Sequence, residues 1–210
     1  MSTIEQRLAR PYYDEDGITI YNCNCADVVP FLDRVDLLLT DPPYGLDIDY
    51  IGYDDSVSNL EALIPTISEY IAKAERSVIF PGIHNVWRYP KADWIACWFY
   101  GTTGSWGKIG YNSWQPMLFY GKNNNRYGLD TIKYSKMEKR YPGHPCSKPV
   151  GLMEAVITRF HKEGAIIDPF MGSGTTLVAA KKLGKRAIGV EREEKYCRIA
   201  ARRLEQQLLP

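Results

Sequence analysis

The chain has 210 residues, 45% of them hydrophobic and 24% charged, which is ordinary for one globular domain with a sizeable core. Its longest apolar runs, such as Val35 to Leu39 and Ala165 to Ile167, are too short to span a bilayer, and charges stand where a signal peptide needs an apolar stretch; no membrane partner and a cytoplasmic location are expected. The net charge of +1 hides an asymmetry: from Pro11 to Glu69 thirteen acidic residues face one basic residue, Arg34, a net −12, which leaves +13 for the rest. The basic part therefore suits a polyanion partner, with a merely solvated charged face as the plainer alternative.

Short β-type runs are expected at Ile18 to Tyr21, Val35 to Thr40, Ser77 to Phe80, Trp94 to Tyr100, Pro116 to Tyr120, Ala165 to Ile167 and Arg186 to Val190. Several are continuous apolar runs, as in strands buried on both faces by helices. Helical spacing lies between them, at Leu60, Leu63, Ile64, Ile67 and Ile71, then at Leu152, Ala155, Val156, Ile157 and Phe160, then over Thr176 to Leu183 and Glu193 to Leu208. This alternation predicts an α/β fold with a single doubly wound, mainly parallel, seven-stranded sheet. Trp94 to Tyr120, two aromatic-rich runs joined by the glycine-rich Gly101 to Gly110, predicts an antiparallel hairpin at one sheet edge. From Lys122 to Lys148 apolar periodicity fades. Seven Lys or Arg (Lys122, Arg126, Lys133, Lys136, Lys139, Arg140, Lys148) face two acids there, and the stretch reads as a short basic insertion within one domain, 1–210. The cysteines, Cys23, Cys25, Cys97, Cys146 and Cys197, are odd in number and lack C-x-x-C spacing, so reduced thiols and no metal are expected.

Ala165 to Val178 reads as strand, tight glycine turn, helix. Asp168 closes the strand, Gly172 and Gly174 permit positive φ, and Thr175 or Thr176 is placed to cap the helix. Seventeen residues beyond Gly174, the next strand ends in Glu191, where a carboxylate accepts both hydroxyl hydrogens of a ribose. Turn and acid together imply an adenosine-containing cofactor, although a glycine turn alone is also a structural device. The spaced G-x-G-x-x-G of dinucleotide enzymes is missing. Asp168 would repel a diphosphate but suits an ammonium and a sulfonium, which favours S-adenosylmethionine over NAD.

The run Val35 to Thr40 leads straight into Asp41-Pro42-Pro43-Tyr44-Gly45. Two prolines fix φ and remove two N–H donors, leaving a stiff turn with outward carbonyls. The exocyclic amino group of adenine or cytosine is a poor nucleophile because its lone pair is delocalised into the ring. If Asp41 and the Pro42 carbonyl accept its two hydrogens, the nitrogen can pyramidalise toward an electrophilic methyl. Tyr44 supplies a ring face for a base flipped out of its duplex. A proline-stiffened turn with a surface tyrosine is the bland alternative.

These blocks resemble the amino-methylating DNA methyltransferases. Their order, catalytic block before cofactor block, is that of the permuted β class, and the resemblance covers most of the chain. It implies a circularly permuted Rossmann-like methyltransferase fold, a DNA partner, and catalytic roles for Asp41, Pro42, Pro43 and Tyr44. For the cofactor it implies Asp41 with Asp168, Pro169, Phe170, Gly172, Ser173, Gly174, Thr175 and Glu191. Tyr21-Asn22-Cys23-Asn24-Cys25 is similar to the segment that contacts the cofactor's adenine, which brings in Asn24 and Cys25, although Asn24 stands where the family usually has an acid. Gly143 to Pro149 is similar to the family's H-P-x-x-K-P block and implies Lys148 for the cofactor's carboxylate; a basic residue ahead of a helix-starting proline is the plainer alternative.

Members that read sequence unaided commonly devote a long segment to it, whereas only about Asn123 to Tyr141 is free here. Lys133, Lys136, Lys139 and Arg140 are the expected DNA-phosphate contacts, in a minimal target-recognition loop. A short or relaxed recognition sequence, or help from a second subunit in a homodimer, is expected. Aspartate at the first catalytic position favours N6 of adenine over N4 of cytosine within the family. A nicotinamide-dependent oxidoreductase would share the Gly172 turn and Glu191 but leave Asp41 to Tyr44 unexplained, and a non-catalytic nucleic-acid binder would share only the basic segment.

Overall fold

All seven apolar runs become strands of one sheet, and two further strands join it. The computed structural model describes residues 8, 10–50, 52–101, 106–122, 129–135 and 148–206. The strands are β1 (Tyr13–Glu15), β2 (Ile18–Asn22), β3 (Val35–Thr40), β4 (Ala74–Ile79), β5 (Trp94–Phe99), β6 (Trp114–Gly121), β7 (Thr131–Lys133), β8 (Ala165–Asp168) and β9 (Arg186–Glu191). They lie side by side in the order β1-β2-β9-β8-β3-β4-β6-β5-β7. β1 and β6 are antiparallel to their neighbours and every other pairing is parallel.

The sheet thus has nine strands where seven were expected. β1 and β7 contribute one buried side chain each, Tyr13 and Ile132, so hydrogen bonding to a formed neighbour rather than apolar patterning places them. The expected antiparallel hairpin is present as β5 and β6, but it does not form the edge. β6 inserts between β4 and β5, and β7 covers the outer side of β5. The segment read as a basic insertion supplies that edge strand.

Helices cover both faces, which is why the central strands β3, β4 and β8 are buried along most of their length. On one face α1 (Val57–Lys73) packs Ile67 and Tyr70 against Leu38, Ile79, Leu118 and Ile167. On the other, α2 (Val150–Phe160), α3 (Thr175–Lys182) and α4 (Glu194–Gln206) bury Leu152, Val156, Leu177, Val178, Cys197 and Ala200 against Leu37, Leu39 and Ile166. Helix α1 runs through Pro65, a residue that costs an interior helix position about 3 kcal/mol. Burial of Leu60, Ile67 and Tyr70, each worth about 1.5–3 kcal/mol, offsets that cost. Ser56 starts the helix by accepting from the Asn59 N–H at 3.4 Å.

At the other end of the strands from their C-terminal edge, Arg76 of β4 and Asp36 of β3 form a buried ion pair of 2.6 Å, and His161 Nε2 lies 3.6 Å from Asp36. Burial pushes the His161 imidazole below its ordinary value. Other acids of the Pro11–Glu69 stretch also find cations from later in the chain: Asp16 pairs with Lys181, Glu61 with Arg88 and Asp41 with Lys148. Part of the charge asymmetry is settled inside the molecule.

Candidate active site

Five parallel strands end on one edge, so the residues that follow them stand in strand order: Asn24 after β2, Glu191 at the end of β9, Asp168 at the end of β8, Asp41 after β3 and Phe80 after β4. The strands bearing Glu191 and Asp41 are two spacings of about 4.8 Å apart, with Asp168 between them. The winding reverses between β8 and β3, the switch point at which open α/β sheets bind ligands. A cleft with about 1040 Å³ of empty space, its open mouth included, lies there.

On the β3 side, the Asp41 turn is held from four directions. Tyr44 Oη donates to Asp41 Oδ1, and the Lys148 ammonium donates to Asp41 Oδ2 at 2.7 Å and to Tyr44 Oη at 2.6 Å. Asn85, buried, donates from Nδ2 to the Tyr44 carbonyl at 2.7 Å. Behind the Tyr44 ring lies Gly82, at φ 69°, where an added Cβ would come within 3.4 Å of the ring, so its missing side chain lets the backbone approach. Downstream, the buried Asp55 carboxylate accepts from the Gly45, Leu46 and Ile48 N–H groups at 2.7, 3.1 and 3.2 Å, pinning the chain that leaves the turn.

On the β8 side, Asp168 is 4% exposed and accepts from Thr40 Oγ1 at 2.7 Å and from the Phe170 N–H at 3.2 Å. The Thr40 bond ties the two motif strands together. Burial pushes the Asp168 carboxyl up to about 6, against the pull of hydrogen bonds from Thr176, Thr40 and Phe170. Glu191 accepts from the Gly172 N–H at 3.1 Å through Oε2 and from the Glu193 N–H at 2.8 Å through Oε1. Burial pushes it up to about 7. Among the described residues neither carboxylate has an ion-pair partner. A buried and a half-buried acid without a cation, beside backbone donors and an open cleft, fit a ligand bringing hydroxyl hydrogens and positive charge. They do not fit a diphosphate.

Neither threonine caps α3. Gly174 is the N-cap residue, at φ 77°, where an added Cβ would meet the Ala200 Cβ of α4 at 2.6 Å. The left-handed turn and the close helix crossing leave room for glycine alone. Thr175 Oγ1 instead accepts from Arg203 Nη1 at 3.2 Å, while Thr176 turns to Asp168. Arg203 also donates to the Ser173 carbonyl at 2.6 Å, bracing the loop from behind.

Of the residues expected at the cofactor, Asn24, Cys25, Asp41, Lys148, Asp168, Pro169, Phe170, Gly172, Ser173, Thr175 and Glu191 line the cleft, and Gly174 stands behind it. Asn24 is engaged as the N-cap of the short helix Cys25–Val28, accepting from the Ala26 N–H at 3.0 Å. Lys148 rests on Asp41 and Tyr44. Pro43 lines the cleft, whereas Pro42 is buried and stiffens the turn. Lys133 lies exposed on β7; Lys136, Lys139 and Arg140 lie outside the described residues. Sequence reasoning missed Thr40, Asp55, Asn85 and Arg203, which act on backbone or on partners far along the chain. It also missed Tyr53, whose buried Oη has no hydrogen-bond partner among the described residues and whose phenol is pushed up to about 12 by burial. The only sequence signal for any of them was Asp55, an acid one residue ahead of a helix N-cap serine.

The fold and this edge define an α/β enzyme that binds a nucleoside cofactor at a switch point. The family profile described as DNA methylase, of N6/N4 type, matches residues 81–202. The chain belongs to this N6/N4 DNA methylase family and uses S-adenosylmethionine as its cofactor. Among curated proteins it is similar to the Type II methyltransferase M2.DpnII of Streptococcus pneumoniae, at 27% identity covering 94% of this chain and 93% of that one. Among solved structures the M1.HpyAVI–SAM complex superposes with a TM-score of 0.68 at 22% identity, covering 89% of this chain and 98% of that one. The cytosine-N4-specific PvuII DNA methyltransferase superposes with a TM-score of 0.65 at 14% identity, covering 93% and 95%. At such identities the structural likeness is one of fold, and the fold is the expected Rossmann-like one.

Proposed function

We propose that the chain methylates the exocyclic N6 amino group of adenine in DNA. The observation that carries this reading is the juxtaposition of Asp41, on its proline-stiffened turn, with the buried Asp168 one strand away and the half-buried Glu191 two strands away. Glu191 would hold the ribose hydroxyls and Asp168 the positively charged end of the cofactor, with the Gly172 to Thr175 loop offering backbone N–H groups to it. When bound, S-adenosylmethionine supplies a methyl group made electrophilic by its sulfonium. Asp41 and the Pro42 carbonyl accept the two amino hydrogens and so localise the nitrogen lone pair; the Tyr44 ring, fixed by Asn85 and Gly82, stacks on the flipped base. Orientation and preorganised acceptors carry the rate enhancement.

Aspartate at position 41 favours adenine, since cytosine-N4 members of the family more often carry serine there. Basic residues between Lys122 and Lys148, Lys133 among them, contact phosphates as a minimal recognition element. The reading also has the protein working in the cytoplasm, and as a homodimer whose second subunit supplements a recognition element this short. It is tested by exposing unmodified DNA to the protein and cofactor, then mapping modified bases by sequencing and identifying them by mass. N6-methyladenine in a short context is the expected product. N4-methylcytosine would move the assignment to the other base, and absence of methylation despite bound cofactor would overturn the reading.

A further inference from the structure

The Lys148 side chain is 8% exposed, so its ammonium has been withdrawn from water onto a small set of partners. These are Asp41 Oδ2 at 2.7 Å, Tyr44 Oη at 2.6 Å, and the rings of Tyr44 and Phe80, whose centroids lie 5.1 and 5.4 Å away. Two of these partners, the Asp41 carboxylate and Tyr44, are groups the target base needs under the function proposed above, on which this inference rests. An amino nitrogen donating to Asp41 would stand about 2.9 Å from a carboxylate oxygen, and an N–H donor already stands at that distance. With Tyr44 Oη on Oδ1 and Lys148 on Oδ2, both oxygens of Asp41 are engaged, yet the carboxylate stays 21% exposed and can be approached from the cleft. Lys148 precedes Pro149, the N-cap of α2, so its backbone is anchored and any move of the ammonium falls to its four-carbon stem.

We propose that Lys148 is a latch on the target-base site: its ammonium holds the place on Asp41 that the incoming amino group takes, and the base enters by displacing it. Lys148 is then a positioning residue that keeps Asp41 and Tyr44 in register while no base is present. It also sets a threshold that a base must overcome before it is held.

The test uses the full chain with S-adenosylhomocysteine bound and a duplex carrying 2-aminopurine at the adenine that the unaltered protein methylates. Lys148→Met, which keeps the stem and removes the charge, is expected to bind this duplex at least three-fold tighter, with a larger rise in fluorescence as the base leaves the stack. Lys148→Ala supplies an independent reading. Butylammonium, at constant ionic strength, is expected to refill the vacated place and compete with DNA for this variant while leaving the unaltered protein unaffected. Cofactor affinity and thermal unfolding report whether each variant is folded, and if Lys148→Met is not, the alkylammonium experiment decides alone. Unchanged or weaker DNA binding by folded Lys148→Met overturns the latch, as does alkylammonium competition against cofactor instead of DNA. A ten-fold loss of cofactor affinity with DNA binding unchanged would also overturn it and assign Lys148 to the cofactor. Failure of the unaltered protein to methylate any DNA would overturn the function reading and the latch together, whereas intact methylation with unaltered DNA binding by the variant overturns the latch alone.

Discussion

Two turns at the ends of neighbouring strands, Asp41 to Tyr44 after β3 and Asp168 to Gly174 after β8, solve opposite problems with opposite residues. The first uses prolines, which withdraw N–H donors and leave acceptors, and its aspartate is partly exposed and ion-paired. The second uses glycines, which free N–H groups, and its aspartate is buried with hydrogen-bond donors but no cation. Under the proposed function, one turn receives amino hydrogens and the other a positively charged cofactor with hydroxyl groups. Thr40 links them by a single 2.7 Å bond, and the Asp41 charge adds to the burial that raises the Asp168 carboxyl, so the two turns share a wall and feel each other's charge.

If the division of labour is correct, each turn breaks separately. The largest effect is expected from Asp41→Ala, which should lower methyl transfer at least about 100-fold while binding of labelled S-adenosylmethionine stays intact. A parallel loss of cofactor binding would merge the two turns into one function. Gly174→Ala should do the converse. It forces a Cβ toward Ala200 at positive φ and should cost about 1–3 kcal/mol of stability in chemical denaturation, with cofactor affinity falling alongside.

Glu191→Gln should weaken cofactor binding about 10-fold through lost charge-assisted hydrogen bonds, read by calorimetry. The same residue sharpens the comparison through pH. Asp168 and Glu191 titrate at about 6 and about 7 in the folded chain against ordinary values of 3.8 and 4.5. The folded state therefore holds protons that the unfolded chain has released, and the cofactor-free protein should lose stability as pH rises from about 4 to 7. Cofactor binding, which favours the ionised carboxylates, should tighten over the upper part of that range, and Glu191→Gln should flatten both trends. The smallest effect is expected from Asn85→Ala. Loss of its bond to the Tyr44 carbonyl should cost about 1 kcal/mol, seen as a several-fold fall in kcat/KM for DNA with the KM for cofactor unchanged.

Apolar runs revealed the seven inner strands, several of them continuous because burial on both faces leaves no other pattern. β1 and β7 were invisible for the converse reason: Tyr13–Glu15 and Thr131–Lys133 hold one buried side chain each, and their pairing depends on a neighbour already in place. Asp41 and Asp168 were legible because each stands at a strand's end beside residues with special backbone chemistry, and Glu191 because it ends the next strand at a fixed spacing from the glycine turn. Arg203 was not, since within α4 it looks like one more surface arginine, and only the crossing with α3 shows that it braces Ser173 and Thr175. The ion pair between Lys148 and Asp41 spans 107 residues and leaves no local trace. The expectation that Thr175 or Thr176 would cap α3 failed because Gly174 takes the left-handed turn and frees both hydroxyls for other partners.

The edge strand β7 divides the basic segment into two cassettes. The Cys97 N–H donates to the Asp130 carbonyl at 2.8 Å and the Tyr134 N–H to the Phe99 carbonyl at 3.0 Å, fastening the chain to β5 on either side of Thr131–Lys133. Residues 123–128 are therefore bounded by β6 and β7, and residues 136–147 by β7 and α2. Under the proposed function, re-targeting has two places to begin, and the second ends against Lys148, whose ammonium holds Asp41.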